Sequence, residues 1–147
     1  MLTTSIDEST VAAEEKRFLL VPPGDPTDSG DAIDMSLLES LVGAQVEGEP
    51  DIVVELMELY LEDAPVKLEA MRRSVAGGDG VSLARAAHSL RGSSASLGAR
   101  RAAALCGELE RAGGEQPSRV AAVLLEYLES ELARVRHVFE GECLRRA

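Results

Sequence analysis

From Asp34 onward, apolar residues recur at intervals of three and four, the spacing that lines up one face of an α-helix. Asp34 is suited to cap a first short helix from Met35 to about Ala44, with Leu37, Leu38 and Leu41 as its apolar face. Gly43, Gly48 and Pro50 then interrupt the pattern. It resumes from Asp51 to about Ala76, where Val53, Met57, Tyr60, Ala64, Leu68, Met71 and Val75 repeat at near-heptad spacing. Pro65 falls inside this run, removing a backbone donor and crowding the preceding turn, so a kink or restart is expected there. Gly77, Gly78, Asp79 and Gly80 make a turn. A third run covers Val81 to Ser96, and Gly98 marks the next junction. A fourth spans about Ala99 to Ala112, with Ala102, Leu105, Cys106 and Leu109 inward and Gly113-Gly114 ending it. A fifth begins near Pro117, a residue suited to a first helical turn, and reaches about Glu140. Its apolar set is Val120, Leu124, Tyr127, Leu128, Leu132, Val135, Val138 and Phe139. Short connections between long amphipathic helices make neighbours antiparallel. The pattern therefore predicts an all-α fold: an up-and-down antiparallel four-helix bundle with an additional short N-terminal helix.

Residues 1–33 read differently. Pro22, Pro23, Pro26, Gly24 and Gly30 sit among acids and block regular structure, although Val11–Leu20 has the length of a short, poorly capped helix. The expected organisation is an acidic, mostly flexible tail over 1–33, the bundle over 34–141, and a C-terminal tail over 142–147.

Composition narrows the class. Hydrophobic residues make up 45% but aromatics only 3%, so Leu, Val and Ala must build the core, which favours helices over strands. A net charge of −11 argues against nucleic acid as a partner, since that needs a dense basic face. The longest apolar run, Val120–Leu125, is too short to cross a bilayer, and the N-terminus lacks the basic-then-apolar order of a signal peptide. Two cysteines, Cys106 and Cys143, cannot supply a disulfide framework or a four-cysteine zinc site. Cys106 falls on an inner stripe and reads as a small core residue; Cys143 falls in the tail. The expectation is a soluble cytoplasmic protein, most simply a monomer, with no membrane and no metal of its own. The charge is uneven: residues 1–34 hold eight acids and two bases, whereas 71–101 hold six arginines against the single acid Asp79.

Only two histidines are present, His88 and His137. On a helical wheel of the third run, Leu83, Ala87, Leu90, Ser94 and Leu97 fall within roughly 40° of one direction, and His88 points about 140° away. A lone surface histidine is ordinarily just solvated, as His137 between Arg136 and Val138 is read to be. Around His88, however, Ala84, Gly92 and Ala95 clear a space, and Arg85 and Arg91 border it. Gly92 costs about 1 kcal/mol relative to alanine inside a helix, so it calls for a reason, and close approach of another molecule is one. An imidazole with one nitrogen held and the other free is a nucleophile, and neighbouring guanidinium groups would steady an arriving phosphoryl group. No Walker loop, G-x-S-x-G or H-E-x-x-H accompanies it. The residues thus suggest a histidine that accepts and donates a group while a partner supplies the rest of the chemistry.

The segment Ala87-His88-Ser89-Leu90-Arg91-Gly92-Ser93-Ser94-Ala95-Ser96-Leu97-Gly98-Ala99 resembles the central motif of histidine-containing phosphotransfer (HPt) domains. Leu105-Cys106-Gly107-Glu108-Leu109-Glu110 resembles the family's second block at the proper distance, and the likeness extends over about Asp34 to Phe139, including Leu59–Pro65. The resemblance implies a four-helix bundle in which His88 carries a phosphoryl group on Nε2, exchanging it with the aspartate of receiver domains in a two-component phosphorelay. Arg91 stands where the family usually has lysine, keeping the charge but offering a planar fork. Gly92 matches the glycine that leaves room for the phosphoryl group, and Ser93 fills a commonly hydroxylated position. Glu110 matches a polar residue that holds the histidine's Nδ1; Ala84, Arg85 and Ala95 are the expected partner contacts. Magnesium is expected in the receiver, not in this chain, which would be a phosphocarrier without kinase activity of its own. The alternative is a phosphorylation-independent module that docks a sensor kinase or receiver.

Overall fold

The computed structural model describes residues 32–42, 47–115 and 119–146. Val11–Leu20, Ala44 and Pro117 lie outside the described residues. Five helices follow in order: α1 (Met35–Val42), α2 (Ile52–Gly77), α3 (Gly80–Ser96), α4 (Arg100–Glu115) and α5 (Arg119–Arg146). No strand occurs among the described residues. The chain is all-α, as the apolar periodicity predicts.

The four long helices surround one core in the order α2, α3, α4, α5, with α5 closing back on α2 and the most extensive contact between α3 and α4. Val53, Met57, Tyr60, Ala64, Leu68 and Met71 of α2 meet Leu83, Ala87 and Leu90 of α3, Leu105 and Leu109 of α4, and Leu124, Leu128, Val135 and Phe139 of α5. Each fully buried aliphatic side chain contributes about 1.5–3 kcal/mol of transfer free energy, so this aliphatic core carries the fold with little aromatic help. The Tyr60 and Phe139 rings meet edge to face at 5.6 Å, and the Tyr60 hydroxyl lies 2.8 Å from Ser94 Oγ. That bond explains a serine on the buried stripe of α3: each buried hydroxyl satisfies the other.

Helix ends follow local chemistry. Asp34 accepts from the Ser36 amide at 3.0 Å, capping α1 as expected. Asp51 does the same for α2, accepting from Val53 and Val54, and is also reached by Arg146 Nη1 at 3.2 Å, joining the start of α2 to the end of α5. Before α1, Ala32 and Ile33 are buried in the core, so packing begins within the last residues of the segment read as tail. The Asp34 amide donates to Gly98 O at 2.7 Å, and Arg100 Nη2 lies 2.7 Å from Asp34 Oδ2. Gly98 has φ +80, and a Cβ there would come within 2.7 Å of Asp34 O, so only glycine fits this turn.

Three boundaries differ from those read in the sequence. α2 passes through Pro65 without restarting, because the stripe Met57–Tyr60–Ala64–Leu68–Met71 is buried on both sides and outweighs one lost backbone bond. α4 continues through Gly113 and Gly114 to Glu115. Gly113 is a packing glycine: a Cβ there would lie 2.6 Å from Gly80 O and 3.1 Å from Ala84 Cβ, so its absence lets α4 touch α3. α5 continues past Glu140 to Arg146, since Glu142 is buried under Arg145 and Arg146 and Cys143 packs half-buried against the core. Cys143 is therefore part of a helix and not of a frayed end.

Candidate functional site

α3 sets the site. Asp79 starts the helix by accepting from the Ser82 amide and hydroxyl, and Leu83, Ala87, Leu90 and Ser94 bury its inner face. The next residue after Ala87 is thereby turned outward, and the His88 side chain is 65% exposed. Opposite it, α4 buries Cys106 and Leu109, which brings Glu110 to the edge of the α3–α4 seam with its side chain 28% exposed.

His88 Nδ1 lies 2.8 Å from Glu110 Oε1. A carboxylate only accepts, so Nδ1 carries the proton and donates it. Arg91 Nη2 stands 3.4 Å from the same nitrogen, but both are donors once Nδ1 is protonated, so the shorter bond decides the tautomer. Arg91 attaches instead to the second carboxylate oxygen, Nη1 lying 3.1 Å from Oε2 in an ion pair not aligned as a hydrogen bond. One carboxylate thus holds both the imidazole and the guanidinium. Such a half-exposed pair adds little stability, about 0–1 kcal/mol, so what it supplies is orientation. The lone pair of the imidazole is left on Nε2, facing solvent.

The space beside Nε2 is open. A Cβ on Gly92, one turn along α3, would have no heavy atom within 4 Å, so nothing inside the protein asks for glycine there. Ala95 is likewise exposed. Burial pushes the nearby Cys106 thiol up to about 12, against the opposing pull of Arg91. Among the described residues no cluster of three or more His, Cys, Asp or Glu side chains could hold a metal ion.

The other candidates separate. The Ser93 hydroxyl turns back on its own helix, donating to the Ser89 and Leu90 carbonyls at 3.3 and 3.2 Å. Ala84 is half-buried against Gly113, so helix packing accounts for its size. Arg85 is exposed. The basic run around His88 is less basic than its composition: Arg72 pairs with Glu69 and Glu129, Arg91 with Glu110, Arg100 with Asp34 and Arg101 with Glu131. These acids come from α2, α4, α5 and the approach to α1, so counting charges along 71–101 could not find them.

The fold is thus a helical bundle with an outward histidine, His88, held at Nδ1 on its second long helix. A sequence model of the Hpt domain matches residues 55–138, more than half of the chain, and the chain belongs to that family. The crystal structure of histidine-containing phosphotransfer protein B (HptB) from Pseudomonas aeruginosa PAO1 superposes with a TM-score of 0.73 at 30% sequence identity. The match covers 80% of this chain and 98% of that one. No curated protein matches the chain. No helix among the described residues is long and apolar enough to cross a membrane.

Proposed function

We propose that this chain is the histidine phosphotransfer component of a two-component phosphorelay, with His88 as the residue that carries the phosphoryl group. The observation that supports it most is the 2.8 Å bond from Nδ1 to Glu110, which leaves Nε2 as the free nucleophile. Nε2 attacks the phosphorus of a receiver's aspartyl phosphate; the N–P bond forms as the bond from phosphorus to the aspartate oxygen breaks, and the aspartate leaves as carboxylate. The imidazole gains positive charge in this step, and the Glu110 carboxylate on Nδ1 offsets it. Reversal returns the phosphoryl group to a receiver aspartate. Magnesium belongs to the receiver, and the chain has no turnover without a partner.

Incubation with a phosphorylated receiver is expected to transfer an acid-labile, alkali-stable phosphate to the wild-type chain and none to His88→Gln. Labelling that survives this substitution overturns the assignment. Receiver binding without any labelled protein identifies a docking module instead.

A further inference from the structure

The exposed row of α3 is asymmetric about His88. Gly92 and Ser96 follow the histidine at four and eight residues and are small or absent as side chains. In the other direction stand Arg85 and Val81, three and seven residues before it, both projecting into solvent, Val81 at 64% exposure. The ion pairs sharpen the asymmetry. Of the six arginines between 71 and 101, Arg73 and Arg85 alone have no ion-pair partner among the described residues. Both lie toward the turn between α2 and α3, Arg85 one helical turn before His88 and Arg73 near the end of α2. Arg73 lines an open depression between the end of α2 and the start of α3 with Ala70, Ser74, Gly77, Asp79 and Ser82. Ser82 is one turn from Arg85, which is one turn from His88. The depression's own acid is occupied: Asp79 is bound to Ser82, whose hydrogen bonds, with Arg85 adding to them, hold its carboxyl below the usual value.

Resting on the phosphotransfer reading above, we infer that the receiver docks off-centre, covering the α2–α3 end of the site. Its phosphoryl pocket sits over His88 and Gly92. An acidic rim of the receiver meets Arg85 and Arg73, and an apolar side chain inside that rim covers Val81, about 10 Å along the helix from His88. Cations without an ion pair draw an acidic surface and fix its register, whereas cations already paired at Arg72, Arg91, Arg100 and Arg101 do so weakly. Val81 supplies the apolar centre that a docking surface needs within its charged border. The opposite end of the row, at Ser96, is left uncovered. None of the three has a hydrogen bond or ion pair to His88 among the described residues, so their expected effect is on receiver docking, with Arg85 set apart from Arg91, which the sequence groups with it around the phosphoryl group.

The test uses full-length chain and the receiver that labels His88 in the assay above, with initial rates at several receiver concentrations. Arg73→Glu with Arg85→Glu is expected to raise the apparent KM by about tenfold or more at low salt, to flatten its salt dependence, and to leave kcat within about twofold. Val81→Asp should raise KM likewise, and Ser96→Glu, on the far side, should move it by less than about threefold. Melting curves check that each variant is folded. Normal labelling of His88 with KM unmoved by the arginine and valine changes, or moved by Ser96→Glu in their place, overturns the off-centre footprint while leaving the phosphotransfer reading intact. A wild-type chain that no receiver labels overturns both.

Discussion

At the residue scale, the informative group is Glu110. It fixes one ring nitrogen of His88 and the guanidinium of Arg91 with its two oxygens, so the imidazole's tautomer and direction are set before any partner arrives. Glu110→Gln keeps an acceptor for Nδ1 but loses the charge, whereas Glu110→Ala loses both. Phosphotransfer to Glu110→Ala is expected to slow by about 10–100-fold, the usual cost of removing a residue that orients a reactive histidine, with Glu110→Gln between it and wild type. Nitrogen chemical shifts of His88 check the cause: the protonated nitrogen should be Nδ1 in the wild type and a mixture of both in Glu110→Ala. The outward position of His88 was legible in the sequence, because the wheel turns it away from the buried stripe. The contact between Glu110 and Nδ1 was foreseen only through the family resemblance. Glu110 is 22 residues from His88, and their meeting depends on how α4 registers against α3, which no local pattern states.

Elements tell glycines apart that composition treats alike. Gly92 and Gly113 both lie inside helices, yet a methyl group on Gly92 would meet nothing, whereas one on Gly113 would press into Gly80 O and the Ala84 backbone at 2.6 and 2.9 Å. Gly92→Ala is therefore expected to stabilise the fold by about 0.5–1 kcal/mol while slowing phosphotransfer, and Gly113→Ala to destabilise it by about 1–3 kcal/mol. Denaturant unfolding of the two variants beside a phosphotransfer assay measures both signs. The helices were readable because their buried stripes are long and regular. Their ends were less so: the sequence signal of Gly113-Gly114 as a stop is real, but tertiary contact with α3 overrides it. At Pro65 the burial on either side likewise keeps the helix continuous, so no restart occurs.

For the whole molecule, net charge concealed the arrangement of charges. The arginine-rich stretch is mostly neutralised by acids from elsewhere in the fold, which leaves Arg73 and Arg85 as its members without an ion pair among the described residues. Three helix-start carboxylates respond to pH together. Asp34 is held below its ordinary value by its bonds to Ser36, and Asp79 by its bonds to Ser82. At Asp51, desolvation pushes upward but the Arg146 and backbone hydrogen bonds outweigh it. A lowered folded-state pKa means that the stabilisation is complete above the unfolded value and vanishes as pH falls through the folded one. The melting temperature is therefore expected to drop from these groups only below about pH 5, where unfolded aspartates begin to protonate. An Asp34→Asn/Asp51→Asn/Asp79→Asn variant, whose amides do not titrate, should lose less on acidification. Circular-dichroism melts between pH 2 and 7, taken as rough limits of the aspartate range, compare the two.

The bond from the Asp34 amide to Gly98 also bears on the order in which the helices are expected to form. α3 and α4 are joined by a three-residue turn, so their pairing closes a short loop and costs little chain entropy. Residue 34 has no site to settle on until that turn exists, and it is 64 positions away along the chain (98 − 34). The helical hairpin that bears His88 is therefore expected to assemble early, with α1 arriving late as a clasp on a turn already formed.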